Sequence, residues 1–287
     1  MLASAAGVLF DGFAYGMLLF LLSVGLTVTL GMMNFVNLAH CSFAMAGGYA
    51  TVTLANRFGW PFLATLPIAF VAAALLSMLL ERTLYRRLYR ASDLDQCLLT
   101  IGIVFVSVAV FAWFYTSEQQ SAPVPEYLRG SVQLLGQSFA AYRIFLIAVS
   151  LAITVALVVL LERTRFGARV RAAVDNQRMA HGLGIDVERT FMVTFALGGG
   201  LAGLGGALAI QVVGLDPSFA LAYLVYVLIV VAVGGLGSIG GSFAAAVVLG
   251  ISDMAGKYYF PWLGAFLIYL VMVALLMWRP RGLFGKR

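Results

Sequence analysis

The sequence predicts an all-α polytopic membrane protein with eight or nine transmembrane segments, and three observations carry that reading. First, 62% of the 287 residues are hydrophobic and only 10% are charged, with a mean hydropathy of +1.00. Soluble domains carry about 25% charged residues, so a globular soluble enzyme is excluded. Second, the charges are grouped, leaving uncharged gaps long enough to cross a bilayer as helix. Third, of the 18 Lys and Arg, all except Arg57, Arg129, Arg143 and Lys257 fall in three segments. The net charge of +6 therefore reports orientation, with no need of nucleic acid. Cys41 and Cys97 lie in apolar sequence and suggest neither a disulfide framework nor a metal cluster. No basic n-region precedes the first apolar stretch, so no cleavable signal is expected.

Taken in order, the first gap runs from Gly12 to Asn56 and is long enough for two crossings. Single crossings follow at Phe58–Leu80, Leu98–Ser117, Ile144–Leu161 and Thr190–Leu215. Pro217–Ser252 is a second double-length gap, and Tyr258–Trp278 is the last. All are expected to be helical, because an open sheet leaves its backbone unsatisfied in lipid. The three basic segments are Arg82–Arg90, Arg163–Arg189 and Arg279–Arg287, and the positive-inside rule makes all three cytoplasmic. Glu118–Tyr142 and the stretch around Asp253–Pro261 then face outward. The side of the N-terminus depends on whether one segment is re-entrant, so parity leaves it open. Nothing remains for a soluble catalytic domain. The chain reads as one transmembrane domain over 1–287, with a cytoplasmic loop at about 163–190.

Both double-length gaps carry polar or glycine-rich breaks, expected at mid-depth. The first holds Asn34, Asn37, His40 and Ser42, and the second holds Gly234, Gly235, Gly237 and Ser238. Ser42-Phe-Ala-Met-Ala and Ser242-Phe-Ala-Ala-Ala lie 200 residues apart, which hints at broken helices in two related halves. Paired interrupted segments point to a transport path, so these eight residues are the candidate path lining. The plainer alternative is that the glycines only let helices pack closely. Gly199 and Gly203 stand at small-xxx-small spacing, a pattern expected to serve packing within the subunit more than a dimer interface.

In the 163–190 loop, Asp175 is placed to cap a short helix ending at Gly182 or Gly184, and Asp186 to cap the next transmembrane helix. Met179 and Leu183 fall on one face of that short helix. It either lies on the membrane surface or presents an apolar knob to a partner. The chain has no G-x-x-x-x-G-K-[ST] loop, so it does not carry an ATPase of this kind. No intramembrane carboxylate relay stands out, and no HExxH or Ser–His–Asp set marks an enzyme. On residues alone, an ion-coupled secondary transporter and a passive channel for small solutes remain open.

The loop Thr164-Arg-Phe-Gly-Ala-Arg-Val-Arg-Ala-Ala-Val-Asp175, continued by Ala180-His-Gly-Leu-Gly-Ile-Asp186, resembles the coupling loop of permeases in branched-chain amino-acid (Liv-type) ABC importers. Gly25-Leu-Thr-Val-Thr-Leu-Gly31, Asn37-Leu-Ala-His40, Thr100-Ile-Gly102, Gly234–Ser238 and Arg279–Gly285 resemble further motifs of that family, in the same order. The compact N-terminus is closer to the H-type than to the M-type permease. One departure is Cys41, where the family usually has Gly. The resemblance implies a bacterial inner-membrane permease with its C-terminus in the cytoplasm and no catalytic residue, metal or cofactor of its own. It implies a related second permease (a heterodimer, with a homodimer possible), two cytoplasmic ATPases that hold ATP-Mg, and an extracytoplasmic solute-binding protein. Coupling to the ATPases then falls on Arg169, Arg171, Asp175, Arg178, Met179, Ala180, Leu183, Gly184 and Ile185. The cargo is branched-chain amino acids or related small polar organic solutes.

Overall fold

A computed structural model describes residues 2–33, 35–89, 91–134 and 137–285. Asn34, Arg90, Lys286 and Arg287 lie outside the described residues. The chain runs through α1 (Leu2–Met33), α2 (His40–Arg57), α3 (Phe62–Thr83), a 3-10 turn (Tyr85–Leu88) and α4 (Asp93–Tyr115). A short α5 (Glu126–Arg129) and two antiparallel strands, β1 (Ser131–Leu134) and β2 (Gln137–Ala140), follow. Then come α6 (Ala141–Arg163), α7 (Arg165–Asp175), α8 (Gln177–Gly182), α9 (Val187–Val213), α10 (Phe219–Gly234), α11 (Ile239–Tyr259) and α12 (Gly264–Trp278).

Among the described residues, six helices are long and apolar enough to cross a membrane: α1, α3, α4, α6, α9 and α11. The expectation of eight or nine segments includes α2, α10 and α12. The apolar α10 and α12 stop at 16 and 15 residues, and α2 carries too many polar residues to qualify. Local chemistry explains several helix starts. Ser92 opens α4 by accepting the Asp95 N–H, with Asp93 and Asp95 in the first turn, where acidic side chains favour the helix dipole. Ser238 opens α11 in the same way, through the Gly241 N–H at 3.0 Å.

The centre of the bundle is the crossing of α1 and α9. α3 packs along α9, while α11 packs along α1, so each end of the chain supplies a helix to the other end's central helix. α2 also lies on α9, and α10 lies against α11 and α1. Glycines set these distances. A Cβ on Gly25 would run into the Gly198 carbonyl, and one on Gly206 would run into the Ala44 carbonyl on α2. Gly199 abuts Ser77 and Gly203 abuts Ala73, both on α3, so that spaced pair packs within the subunit as expected. The matched Ser42 and Ser242 segments open α2 and α11, which pack on α9 and α1 respectively. By contrast, α4, α6 and α12 turn large apolar side chains such as Phe105, Trp113, Val155 and Leu270 outward.

The basic segments gather at the end of the bundle where α1 finishes. Arg86 pairs with Glu188 at the start of α9, and the tail donates from Leu283 N–H to Val233 O at 2.7 Å. The opposite end holds the strand pair, docked by Phe139 against Phe10 of α1 with ring centroids 4.5 Å apart. Because interhelical contact in lipid is decided by close fit, Gly206→Val forces α2 off α9. Overpacking of this kind costs about 1–3 kcal/mol or more. A fall in the thermal unfolding midpoint and loss of monodisperse protein are expected. Gly102→Ala is the control: nothing lies within 4 Å of its Cβ position, and the midpoint holds or rises.

Candidate functional site

The first break in the sequence is a built structure. The chain between α1 and α2 has no helical hydrogen bonds of its own over 35–39, and α4 supplies them. Gln96 Oε1 accepts from Val36 N–H at 3.0 Å, and Thr100 Oγ1 accepts from Leu38 N–H at 3.2 Å. Irregular backbone survives at membrane depth only with such partners. Asn37 Oδ1 accepts the Ala39 N–H at 3.1 Å, and its Nδ2 has no partner among the described residues. His40 Nε2 lies 3.1 Å from the Leu22 carbonyl; a carbonyl only accepts, so that nitrogen carries the proton. Leu22 is halfway along α1 between Asp11 and Met33, so α2 begins beside the middle of α1. Ser42 Oγ meets Ser107 Oγ at 2.8 Å, and Cys41 is fully buried.

The second break lies against the last turn of α1. Gly237 packs on Gly31 near the end of α1. Gly235 and Gly237 adopt φ of +95° and +77°, which glycine accepts without penalty. A Cβ on Gly235 would press on Gly285 of the tail, and one on Gly234 would lie 2.5 Å from the Ser242 amide nitrogen. Phe284 N–H donates to Gly234 O at 3.2 Å. Gly234, Gly235, Gly237 and Ser238 thus form the seat of the C-terminal tail and the cap of α11. Gln96 is the polar residue that sequence reasoning passed over, and Thr100, noted only within a motif, joins it; their signal was two hydrogen-bonding side chains one turn apart in the apolar α4.

The basic loop forms α7 and α8, laid across the end of the bundle. Thr164 caps α7, and Arg171 donates to the Leu161 carbonyl. The cap of α8 is Asn176, whose Oδ1 accepts the Met179 N–H at 3.0 Å. Asp175, expected there, is the last residue of α7, because the chain turns extended only at Asn176. Gly182 ends α8, Gly184 turns the chain at φ +79°, and Asp186 caps α9 through Arg189 N–H at 2.9 Å. Ala180 is buried with Ala173, Val187 and Phe191, and Ile185, Met33 and Tyr89 pack on this cluster. Met179 and Leu183 point away from it, 68% and 80% exposed. An open groove of about 700 Å³ runs beside them, lined by Phe166, Arg169, Leu183, Gly184, Ile185 and Arg189. Asp175 and Arg178 are exposed on the same surface.

This end of the molecule is tied to the bundle through Glu81. That carboxylate is buried, and its Oε1 accepts from the Tyr89 hydroxyl at 2.7 Å. Burial, and then the bond to Glu81, push the Tyr89 hydroxyl well above the usual tyrosine range; burial does the same to Tyr85. Folding therefore favours the protonated phenols. Their contribution is whole below about pH 10, where free tyrosine titrates, and it is lost as pH rises above that. Tyr89→Phe leaves Glu81 short of a donor, expected to cost about 1–3 kcal/mol near neutral pH. Chemical-denaturation midpoints for the two proteins, taken from pH 7 to pH 11, should converge as pH rises.

The described residues contain no group of three His, Cys, Asp or Glu that would hold a metal ion. The family described as the permease component of branched-chain amino acid transport systems matches residues 8–276. A relative from Methanocaldococcus jannaschii, named "Probable branched-chain amino acid transport permease protein LivH", is 28% identical over 94% of this chain and 90% of its own length. The LivH permease protein of the high-affinity branched-chain system of Escherichia coli is 25% identical over 97% and 94%. The LivM permease protein of Escherichia coli is 25% identical over 93% of this chain and 68% of its own length. No solved structure matches. This chain, a multi-pass helical membrane protein, belongs to the family of branched-chain amino acid transport permeases.

Proposed function

We propose that the chain is the membrane-spanning permease subunit of an ATP-driven ABC importer in a bacterial inner membrane. It moves branched-chain amino acids, or related small polar organic solutes, inward from an extracytoplasmic binding protein. The observation that carries the reading is α8. It is a one-turn helix with a side-chain cap at one end and a glycine turn at the other, rooted through Ala180 and presenting Met179 and Leu183 to the exterior beside a groove. Two exposed apolar side chains on a rigid, basic-flanked mount suit a partner's cleft better than water. An ATPase docked there pushes on the small cluster that joins α8 to α9 and to Met33 of α1. ATP-Mg belongs to two such separate ATPase subunits, and this chain performs no catalysis.

With the basic end inward, the C-terminal tail is cytoplasmic, α1 begins on the outer side, and the strand pair faces the binding protein. Eight or nine membrane segments result when α10, α12 and α2 are counted with the six long helices. One permease domain then spans 1–287, with the coupling loop at about 163–190. The likeness to both LivH and LivM of one organism favours a related second permease as partner. The solute path is assigned to the region of Asn34, Asn37, His40 and Ser42, where α2 begins beside the middle of α1 and Asn37 Nδ2 has no partner among the described residues. Gly234–Ser238 then acts on the path by carrying the tail and α11.

The test is uptake of radiolabelled leucine into proteoliposomes holding this chain, its neighbouring permease and the ATPases. Uptake that needs both ATP and binding protein is expected. Met179→Asp with Leu183→Asp should reduce it at least tenfold and release the ATPases during purification, with the thermal midpoint of the permease unchanged. Uptake driven by an ion gradient with this chain alone would overturn the reading in favour of a secondary transporter.

A further inference from the structure

The C-terminal tail folds back onto the bundle. Leu283 N–H and Phe284 N–H donate to the Val233 and Gly234 carbonyls at 2.7 and 3.2 Å, and Gly282, at φ +82°, packs on Gly235. Met277 and Trp278 end α12 and are 79% and 71% exposed. The Arg279 guanidinium lies 5.4 Å from the Trp278 ring centroid. Tryptophan and arginine at the end of an apolar helix mark the boundary between hydrocarbon and water. The tail therefore lies along that boundary, at the basic end of the bundle.

Beside the tail is an open groove of about 560 Å³, walled by Ala232, Leu236, Leu276, Pro280, Arg281 and Gly285. Above it α10 and α12 run on as neighbours to the Tyr226–Tyr269 ring pair, with centroids 6.3 Å apart, and turn Val225 and Val273 outward. Arg281 is the one charged residue in the wall. Neither Arg281 nor Arg279 meets a carboxylate among the described residues. The other two basic segments differ in this: Arg86 has Glu188, and the 163–190 loop carries Asp175, Asp186 and Glu188. From Pro217 to the C-terminus the sequence has five Lys and Arg but one acidic residue, Asp253, in the second half of α11 and paired with Lys257. The positive charge at the groove is thus uncompensated by the elements that build it.

We propose that this groove holds an anionic phospholipid, its phosphate on Arg281 with Arg279 nearby, and an acyl chain lying between α10 and α12. The proposal goes beyond the importer reading and rests on it only in counting α10 and α12 as membrane segments. The chemistry of the groove selects the occupant. Its apolar wall continues into the outward faces of two helices, which suits an acyl chain that a free phosphate does not have. A guanidinium gives phosphate oxygens two parallel charge-assisted hydrogen bonds. A zwitterionic headgroup brings its own cation, which the uncompensated arginines repel, so the fitting headgroup has a net negative charge. Basic pockets between transmembrane helices hold anionic headgroups in this way. A lipid seated there bridges α10, α12 and the tail, and so keeps the tail over Gly234–Ser238 and the start of α11.

The experiment uses the full chain in phosphatidylcholine nanodiscs, with Trp60, Trp113 and Trp262 replaced by Phe so that Trp278 alone emits. A small, fixed fraction of the lipid carries bromine on an acyl chain, which quenches a neighbouring tryptophan. Brominated phosphatidylglycerol is expected to quench Trp278 about fivefold more effectively than brominated phosphatidylcholine. Arg281→Gln should remove most of that preference, since about 1 kcal/mol per basic residue at an anionic membrane surface is a factor of about five. Ala232→Phe fills the groove without altering a charge and should remove it too, whereas enrichment by surface charge alone survives that change. The chain with all its tryptophans gives a second readout: phosphatidylglycerol should raise its thermal unfolding midpoint, and Arg281→Gln should abolish the rise. Equal quenching by the two lipids, a preference untouched by Ala232→Phe, or a midpoint indifferent to phosphatidylglycerol overturns the lipid site and gives the groove to an acidic protein partner. Any quenching of Trp278 keeps the end of α12 in the bilayer, so those outcomes leave the membrane count standing. Quenching by neither lipid overturns the count and the site together.

Discussion

The backbones of α1 and α9 touch at Gly25 and Gly198, and the rest of the bundle is arranged around that contact. Lipid tails are as apolar as leucine, so helices in a membrane gain little from hiding apolar surface against each other. What holds them is close fit and hydrogen bonding, and both begin at this crossing. The position a Gly25 Cβ would take also meets the His40 imidazole, which lies against α1 and donates to the Leu22 carbonyl. Gly203 and Gly206 then bring α2 onto α9. Ser77 Oγ completes the α3 contact by donating to the Phe195 carbonyl at 2.8 Å. Thr27 and Ser242 hydroxyls, 2.8 Å apart, do the same between α1 and α11.

Polar side chains inside the bundle are spent mostly on backbone. Gln96 serves the unwound chain at Val36 through its carbonyl and the Leu88 carbonyl through its amide. Tyr142 donates to the Leu208 carbonyl, and Ser238 caps α11. Such bonds are worth more in rigidity than in net free energy, since an unmade bond in hydrocarbon is the costly alternative. Six buried groups among the described residues depart from this economy: Asn37 Nδ2, Asp253 Oδ1 and the hydroxyls of Tyr49, Thr51, Tyr85 and Ser150.

The two ends of the molecule are built differently. At the basic end, α7 and α8 rest on a small apolar cluster that includes Met33, so a displacement of α8 reaches the end of α1 through packed side chains. At the other end, Asp11 is on α1 and faces Arg143 of α6. A single long helix therefore runs from the α7–α8 surface to the Asp11–Arg143 pair. Close-packed interiors transmit small shifts without absorbing them.

Local chemistry was legible in the residues. The apolar gaps marked the six long helices, the grouped arginines marked one end, and Asp186 announced the start of α9, because hydropathy, charge and capping act within one turn of helix. Asp175 was read one residue early, since only the backbone angle at Asn176 decides which side chain reaches the free amide. Tertiary structure decided which polar groups meet. Gln96 and Thr100 find the chain at 36 and 38, the Gly234–Ser238 break lies under the tail, and Asp11 meets Arg143 across two helices. In a membrane protein the lipid-facing and protein-facing sides of a helix are similarly apolar. Helix rotation and pairing are thus fixed by glycine contacts and interhelical hydrogen bonds between distant residues, which no local pattern specifies.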